Sequence, residues 1–367
     1  MNGGKLDLMI DFTNRLAALQ HFLADIAPIE SSQNAAEVAA KSRDFFWYSP
    51  ILTELLDGKV GDMVVSPRSQ AEVVRVAAAC AKHRINITVR GGGTGNYGQC
   101  VPMQGGIVLD ITQLSRVLKI EAGAVTCEAG ILIADLERAV RADNAVAGGQ
   151  EILMYPSTRD IATIGGFIAG GYAGAGSVRN GILKDAGNVT MVRVVTLEEN
   201  PQIIELHGAD IQKVHHAYGT NGIITALTLR LKPAVDWVHH IGLFDSYRAA
   251  LRFGCEATEA IGGDVDAFLI TAVERRIAPY YTSSFGERFP ANKDAVFSMV
   301  NPAHLAAWRA LVTKHGGSES MAFNEQEVNA HNLHPAFECA YNHTTLMALK
   351  VDKSWTNLQT VAPWVPG

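Results

Sequence analysis

The chain has 367 residues, 48% hydrophobic and 19% charged, and its 31 Lys and Arg against 37 Asp and Glu leave a net charge of −6. Such a length implies about two or three domains, each large enough to bury a core. The charge carries no basic excess of the kind a nucleic-acid binder concentrates on one face. The longest apolar runs, such as 189–197 with Arg193 inside it, fall well short of the ~18–20 residues of a membrane span. Asp7 and Asp11 interrupt the first apolar stretch, so a signal peptide is not expected. Cys80, Cys100, Cys127, Cys255 and Cys339 are an odd number without close pairs. They indicate neither a disulfide framework nor a CxxC zinc site, and a cytoplasmic location is the expectation.

In chain order, residues 1–57 read as a helical segment, with Leu16, Leu19, Leu23 and Ile26 at near-helical spacing. From residue 58 short strands alternate with helices. A strand is predicted over 63–67. A helix is predicted over 70–83, with Ser69 as N-cap and Glu72 completing a capping box. A strand over 85–89 runs straight into a glycine cluster. Strands over 107–110, 117–120 and 124–128 follow, then an amphipathic helix over 131–142. After a second glycine cluster come strands over 189–197 and 203–206. A helix over 209–217 is expected to turn His215 and His216 to solvent. A strand over 223–231 ends at Pro233. From Ala234 the pattern changes, with helices over 247–261 and 304–315 and strands over 265–271 and 344–351. The class is α+β, with domains expected at 58–233 and 234–367 after the N-terminal segment.

Glycine carries the strongest signal. Seven of the 34 glycines fall in 91–106 and eight in 165–187. The first cluster, Arg90-Gly-Gly-Gly-Thr-Gly-Asn96, opens from a strand and exposes several backbone N–H groups that can converge on an anion. In a Rossmann site the glycines would open a helix. Here Pro102, Gly105 and Gly106 precede another strand, so the loop must cradle phosphate with backbone alone. The second cluster, between Tyr155 and Gly181, mixes small and apolar residues with little charge, the wall that a flat aromatic ligand needs.

Three separated motifs agree: the Arg90 loop, then Pro156-Ser157 with Thr163-Ile-Gly-Gly166 and Gly176-Ser-Val-Arg-Asn-Gly181, then Tyr218-Gly-Thr-Asn-Gly-Ile-Ile-Thr225. Over about residues 60–233 they resemble the FAD-binding (PCMH-type) domain of the vanillyl-alcohol oxidase/p-cresol methylhydroxylase superfamily, nearest its glycolate oxidase and D-lactate dehydrogenase branch. The resemblance implies a two-subdomain FAD-binding domain followed by an α+β cap domain for the substrate, of which an incomplete copy is the expectation here. It gives Arg90, Gly91, Gly92, Gly93, Thr94, Gly95 and Asn96 to the pyrophosphate. Pro156, Ser157, Thr163, Ile164, Gly165 and Gly166 would line the flavin ring and ribityl chain, with Gly176, Ser177 and Gly181 closing the ring pocket. Glu128 and Gly130 look like a strand-end motif nearby, and Gly222, Ile223 and Ile224 would meet the ADP half. Asn180 stands where the family often has Tyr. The first loop has no histidine to bond the flavin, so non-covalent FAD is expected.

Oxidation of a hydroxy acid needs a cation for the carboxylate and a base for the hydroxyl proton. Arg179 is the candidate cation, with an ion pair to Asp185 or Asp160 as its structural alternative. Tyr341 and His343 are the candidate bases. His331 and His334 lack a third ligand and read as surface histidines, so no metal site is assigned. The expected activity is FAD-linked oxidation of a small 2-hydroxy acid, glycolate- or D-lactate-like, with hydride transfer to the flavin. A sugar or aryl-alcohol oxidase and a non-catalytic flavin-binding subunit are the alternatives. The electron acceptor (oxygen, quinone or cytochrome) and the state of assembly are left open.

Overall fold

The computed structural model describes residues 3–355, built around three sheets. The first has the order β1-β2-β4-β3 and comprises β1 (Ser31–Ser32), β2 (Met63–Val65), β3 (Ile87–Arg90) and β4 (Ile107–Asp110). β4 pairs in parallel with both β2 and β3 and is buried along its whole length. The β2–β3 crossover is the helix Gln70–His83, which buries Val73, Val76, Ala77 and Cys80 at three- and four-residue spacing. Ser69 caps it, accepting the Glu72 N–H at 3.2 Å. The reciprocal half of the expected box slips by one residue, because the Glu72 carboxylate accepts from the N–H of Arg68 instead. The helix Gly3–Ile26 packs alongside, burying Leu19, Phe22 and Ile26.

The second sheet holds β5 (Val117–Glu121), β6 (Ala124–Glu128), β7 (Gln150–Ile152), β8 (Val189–Val195), β9 (Ile203–His207) and β10 (Ile223–Pro233). Its order is β5-β6-β10-β8-β9, with β7 also pairing to β10. The eleven-residue β10 is its spine, antiparallel to β6, β7 and β8. The second glycine cluster lies between β7 and β8 and includes the short helix Ile164–Gly170.

The third sheet, β11 (Val238–Phe244), β12 (Ala267–Val273), β13 (Asp294–Val300) and β14 (Ser318–Phe323), is antiparallel in the order β12-β13-β11-β14. Phe244, Phe253 and Trp308 form a core between it and the helices Tyr247–Glu259 and Leu305–Lys314. Phe268 of β12 joins it to the second glycine cluster: its ring lies 5.1 Å from Tyr155, and its carbonyl accepts the Gly176 N–H at 2.6 Å. The class is α+β. Three of these strands, β11, β13 and β14, are not anticipated by the sequence pattern. The expected strand over 344–351 is the helix Asn342–Val351, and the expected helix over 209–217 shrinks to a 3-10 turn, Gly208–Lys213. Among the described residues no helix is long and apolar enough to cross a membrane.

Candidate active site

β3 delivers the chain into a loop whose backbone lies directly on its neighbour. A Cβ on Gly91 would sit 2.1 Å from Thr163 Oγ1, and one on Gly92 would sit 2.1 Å from the Ile161 carbonyl oxygen. Gly93 has φ +66°, a left-handed conformation that L side chains rarely adopt. The Arg90 guanidinium tucks beneath it, donating to the Arg43 carbonyl and lying 3.7 Å from Cys100 Sγ. Asp44 is buried close by and accepts the Phe46 N–H at 2.8 Å; burial pushes its carboxyl up to about 6. Burial likewise pushes the Cys100 thiol up to about 11.

Above this loop opens a cavity of about 1210 Å³. One wall is Gly91, Gly92, Gly93, Thr94, Gly95 and Asn96, continued by Tyr97, Gln99 and Cys100. The second is Pro156, Ser157, Thr158, Thr163, Gly165, Gly166 and the run Ala169–Ala173. Gly222 and Ile224 lie at the start of β10, while Tyr247, Thr271, Tyr341, Thr344, Thr345 and Ala348 close the far side. Thirteen of the residues expected to hold cofactor thus share one space with Tyr341.

Other expected positions lie elsewhere. Arg90 faces a smaller cavity of about 400 Å³ behind the loop, with Gly130 and Lys41. The buried Glu128 is engaged by Arg116, whose Nη2 lies 2.7 Å from Oε1. Ile164 and Ile223 point into the core. Gly176, Ser177 and Gly181 do not line the cavity: a Cβ on Gly176 would meet the Leu153 carbonyl at 2.1 Å and the Phe268 ring at 2.7 Å, so this glycine admits the third sheet. Arg179, three residues on, pairs with neither Asp185 nor Asp160. Its Nε reaches Asp266 Oδ1 at 2.7 Å, and its guanidinium lies 5.5 Å from the Trp237 ring centre. That pairing removes Arg179 from the cavity as a carboxylate anchor. His343 also lies off the cavity wall; its Nδ1 is buried without a hydrogen-bond partner among the described residues, and burial lowers its pKa. Tyr341 is on the wall, with φ 53° and its hydroxyl donating to the Gly174 carbonyl at 2.9 Å, and burial pushes its phenol up to about 12. His331 stacks on Phe323 at 5.0 Å, and His334 lies 2.8 Å from Glu338.

Sequence reasoning gives no site role to His216, or to Tyr218 beyond opening the third motif. Both have φ 53°, both line the cavity, and Tyr218 Oη lies 2.8 Å from His216 Nε2. His216 stays exposed, its Nδ1 3.0 Å from the Gly171 carbonyl oxygen, whereas His215, expected to face solvent, is buried because the chain leaves the 3-10 turn early.

A cavity whose floor is glycine backbone, with no room for a Cβ at positions 91 and 92, suits the close approach of a diphosphate, and its size admits a dinucleotide. Residues 61–205 match the FAD binding domain family. Two relatives are similar over 47% of this chain: glycolate oxidase subunit GlcD of Bacillus subtilis (28% identical) and D-lactate dehydrogenase of Anaerostipes hadrus (31% identical). D-2-hydroxyglutarate dehydrogenase of Escherichia coli is 35% identical over 37% of the chain. The chain spans only 37% of the length of each of the first two relatives. The fold extends further than the sequence likeness. A solved alkyldihydroxyacetonephosphate synthase superposes over 86% of this chain and 62% of its own, with TM-score 0.68 at 16% identity. A Physcomitrella patens BBE-like 1 variant does so over 89% and 67%, with TM-score 0.61 at 15% identity.

Proposed function

We propose that this chain is an FAD-dependent oxidoreductase that oxidises the CH–OH group of a small 2-hydroxy acid. The observation that carries the reading is a single cavity joining a glycine-backbone floor to a hydroxyl-rich far wall of Tyr247, Thr271, Tyr341, Thr344 and Thr345. The relatives named for glycolate, D-lactate and D-2-hydroxyglutarate chemistry support the substrate class. Residues 58–233 serve as the cofactor unit and 234–367 as the cap.

In this reading the amides of Gly91–Asn96 neutralise the diphosphate without a side-chain cation, as convergent backbone N–H groups do. Pro156, Ser157, Thr163, Gly165 and Gly166 hold the ring and ribityl chain, and Gly222 and Ile224 meet the ADP half. Bound flavin supplies a two-electron acceptor. The Tyr341 hydroxyl, committed to Gly174, positions the wall beside the second glycine cluster, and Thr344 and Thr345 offer hydroxyls to a polar substrate. Anaerobic addition of glycolate, D-lactate and D-2-hydroxyglutarate to the purified holoprotein tests this. One of them should bleach the flavin bands; a flavin spectrum that none of them changes, with the protein fully loaded, rejects the hydroxy-acid reading.

A further inference from the structure

We infer that the cavity selects a 2-hydroxy acid with an apolar side chain, which it reads along one face of the helix Asn342–Val351. The inference rests on the oxidoreductase reading above and narrows its substrate class. Tyr341, Thr344, Thr345, Ala348 and Leu349 all line the cavity. Their spacing of three and four residues puts them on one side of the helix. Met347, on another side, is buried in the main core and seats the helix in the wall.

The lining face is graded from polar to apolar. In its first turn the Thr344 hydroxyl donates to the Cys339 carbonyl at 3.2 Å. Thr345 is only 8% exposed, and its hydroxyl has no hydrogen-bond partner among the described residues. An uncommitted hydroxyl on a largely buried residue of a cavity wall calls for a polar group from the ligand. Leu349, one turn on and about 6 Å further along the axis, and its neighbour Ala348 offer only hydrocarbon. Trp355 continues the same wall beyond the helix.

The polar end is fixed beside the segment given to the flavin ring. The Tyr341 hydroxyl donates to the Gly174 carbonyl at 2.9 Å. Gly174 in turn packs so closely that a Cβ on it would lie 2.2 Å from the Tyr155 carbonyl oxygen and 3.2 Å from the Pro156 nitrogen. Pro156 and Ser157 line the cavity at that point. By Leu349 the helix has advanced about 12 Å from Tyr341. A substrate that offers its carboxylate to Thr345 next to the ring therefore extends its side chain over Ala348 and Leu349. Glycolate, which has no side chain, leaves that surface unused, whereas each methylene buried on it strengthens binding by about three- to fourfold.

The test uses flavin-loaded, full-length enzyme and an unbranched series: glycolate, lactate, 2-hydroxybutyrate and 2-hydroxyhexanoate, with both enantiomers of each chiral acid. The second-order rate constant of anaerobic flavin bleaching should rise by about 100-fold from glycolate to the better enantiomer of 2-hydroxyhexanoate. Titration calorimetry of the oxidised holoprotein with the matching 2-oxo acids, which cannot reduce the flavin, should show the same ladder in Kd without turnover. Ala348→Phe fills the apolar end and should cut the preference for 2-hydroxyhexanoate over lactate by about tenfold or more. A ladder that is flat or falls with chain length overturns the inference, and the wild-type series decides this even if the variant fails to fold. An Ala348→Phe protein with unchanged preference also overturns it. A wild-type flavin that no member of the series bleaches instead rejects the oxidoreductase reading beneath it.

Discussion

Gly92→Ala puts the account of the cavity floor under the most direct strain. The added methyl would lie 2.1 Å from the Ile161 carbonyl oxygen, 3.1 Å from its carbon and 3.2 Å from Ala162 Cα. All three are backbone atoms of the segment that leads into the helix Ile164–Gly170, so no rotamer change relieves the overlap. Restoring ordinary contact requires the two walls to part by about 1.3 Å, and overpacking of this kind costs about 1–3 kcal/mol. If the displaced loop is the one that grips the diphosphate, the cost appears in binding as about a 5- to 150-fold rise in Kd. Flavin fluorescence titration of flavin-depleted chain measures it. Gly123→Ala is the control: Gly123 also has a left-handed φ, +83°, but a Cβ there meets nothing within 4 Å. It should cost about 1–2 kcal/mol of stability and leave FAD binding alone. A folded Gly92→Ala protein that binds FAD within about twofold of wild type would refute the reasoning.

Two further perturbations probe what surrounds the cavity. Asp266→Ala strands Arg179 and also Asn301, whose Nδ2 lies 2.9 Å from Asp266 Oδ2; urea unfolding should show a loss of about 1–3 kcal/mol, and no change would mean the pair is not a joint. Burial raises Asp44 from 3.8 to about 6, so between those pH values the folded chain keeps a proton that the unfolded chain has released, and this group makes stability fall as pH rises through that window. Asp44→Asn should therefore flatten the profile between pH 4 and 7 by up to about 3 kcal/mol, and a profile identical to wild type would count against a buried, protonated Asp44.

The parts of the fold written in local pattern were legible. The helix Gln70–His83 shows its cap and apolar spacing in sequence, and β4 and β6 run as read, from Ile107 to Asp110 and from Ala124 to Glu128. The glycine loop announced itself because a run of glycines has few other uses. The third sheet was less legible: β13, Asp294–Val300, is buried on both faces, so it shows no alternation. Residues 344–351 were expected as a strand, yet Leu346, Met347, Ala348, Leu349 and Lys350 are good helix formers, and the helix prevails. Arg179 fell to a partner 87 residues away, Asp266, which no local spacing reveals. His215 was the misread member of the pair: the expected helix stops at Lys213, and the chain beyond it buries His215 while His216 stays exposed.

The central claim is that the glycine-floored cavity holds FAD without a covalent bond. The visible spectrum of the purified chain, before and after acid precipitation, tests it most directly. The account predicts a two-band flavin spectrum at one FAD per chain, with the colour passing entirely into the acid supernatant. A colourless protein that also refuses added FAD would contradict the claim itself, and yellow retained in the pellet would contradict its non-covalent part.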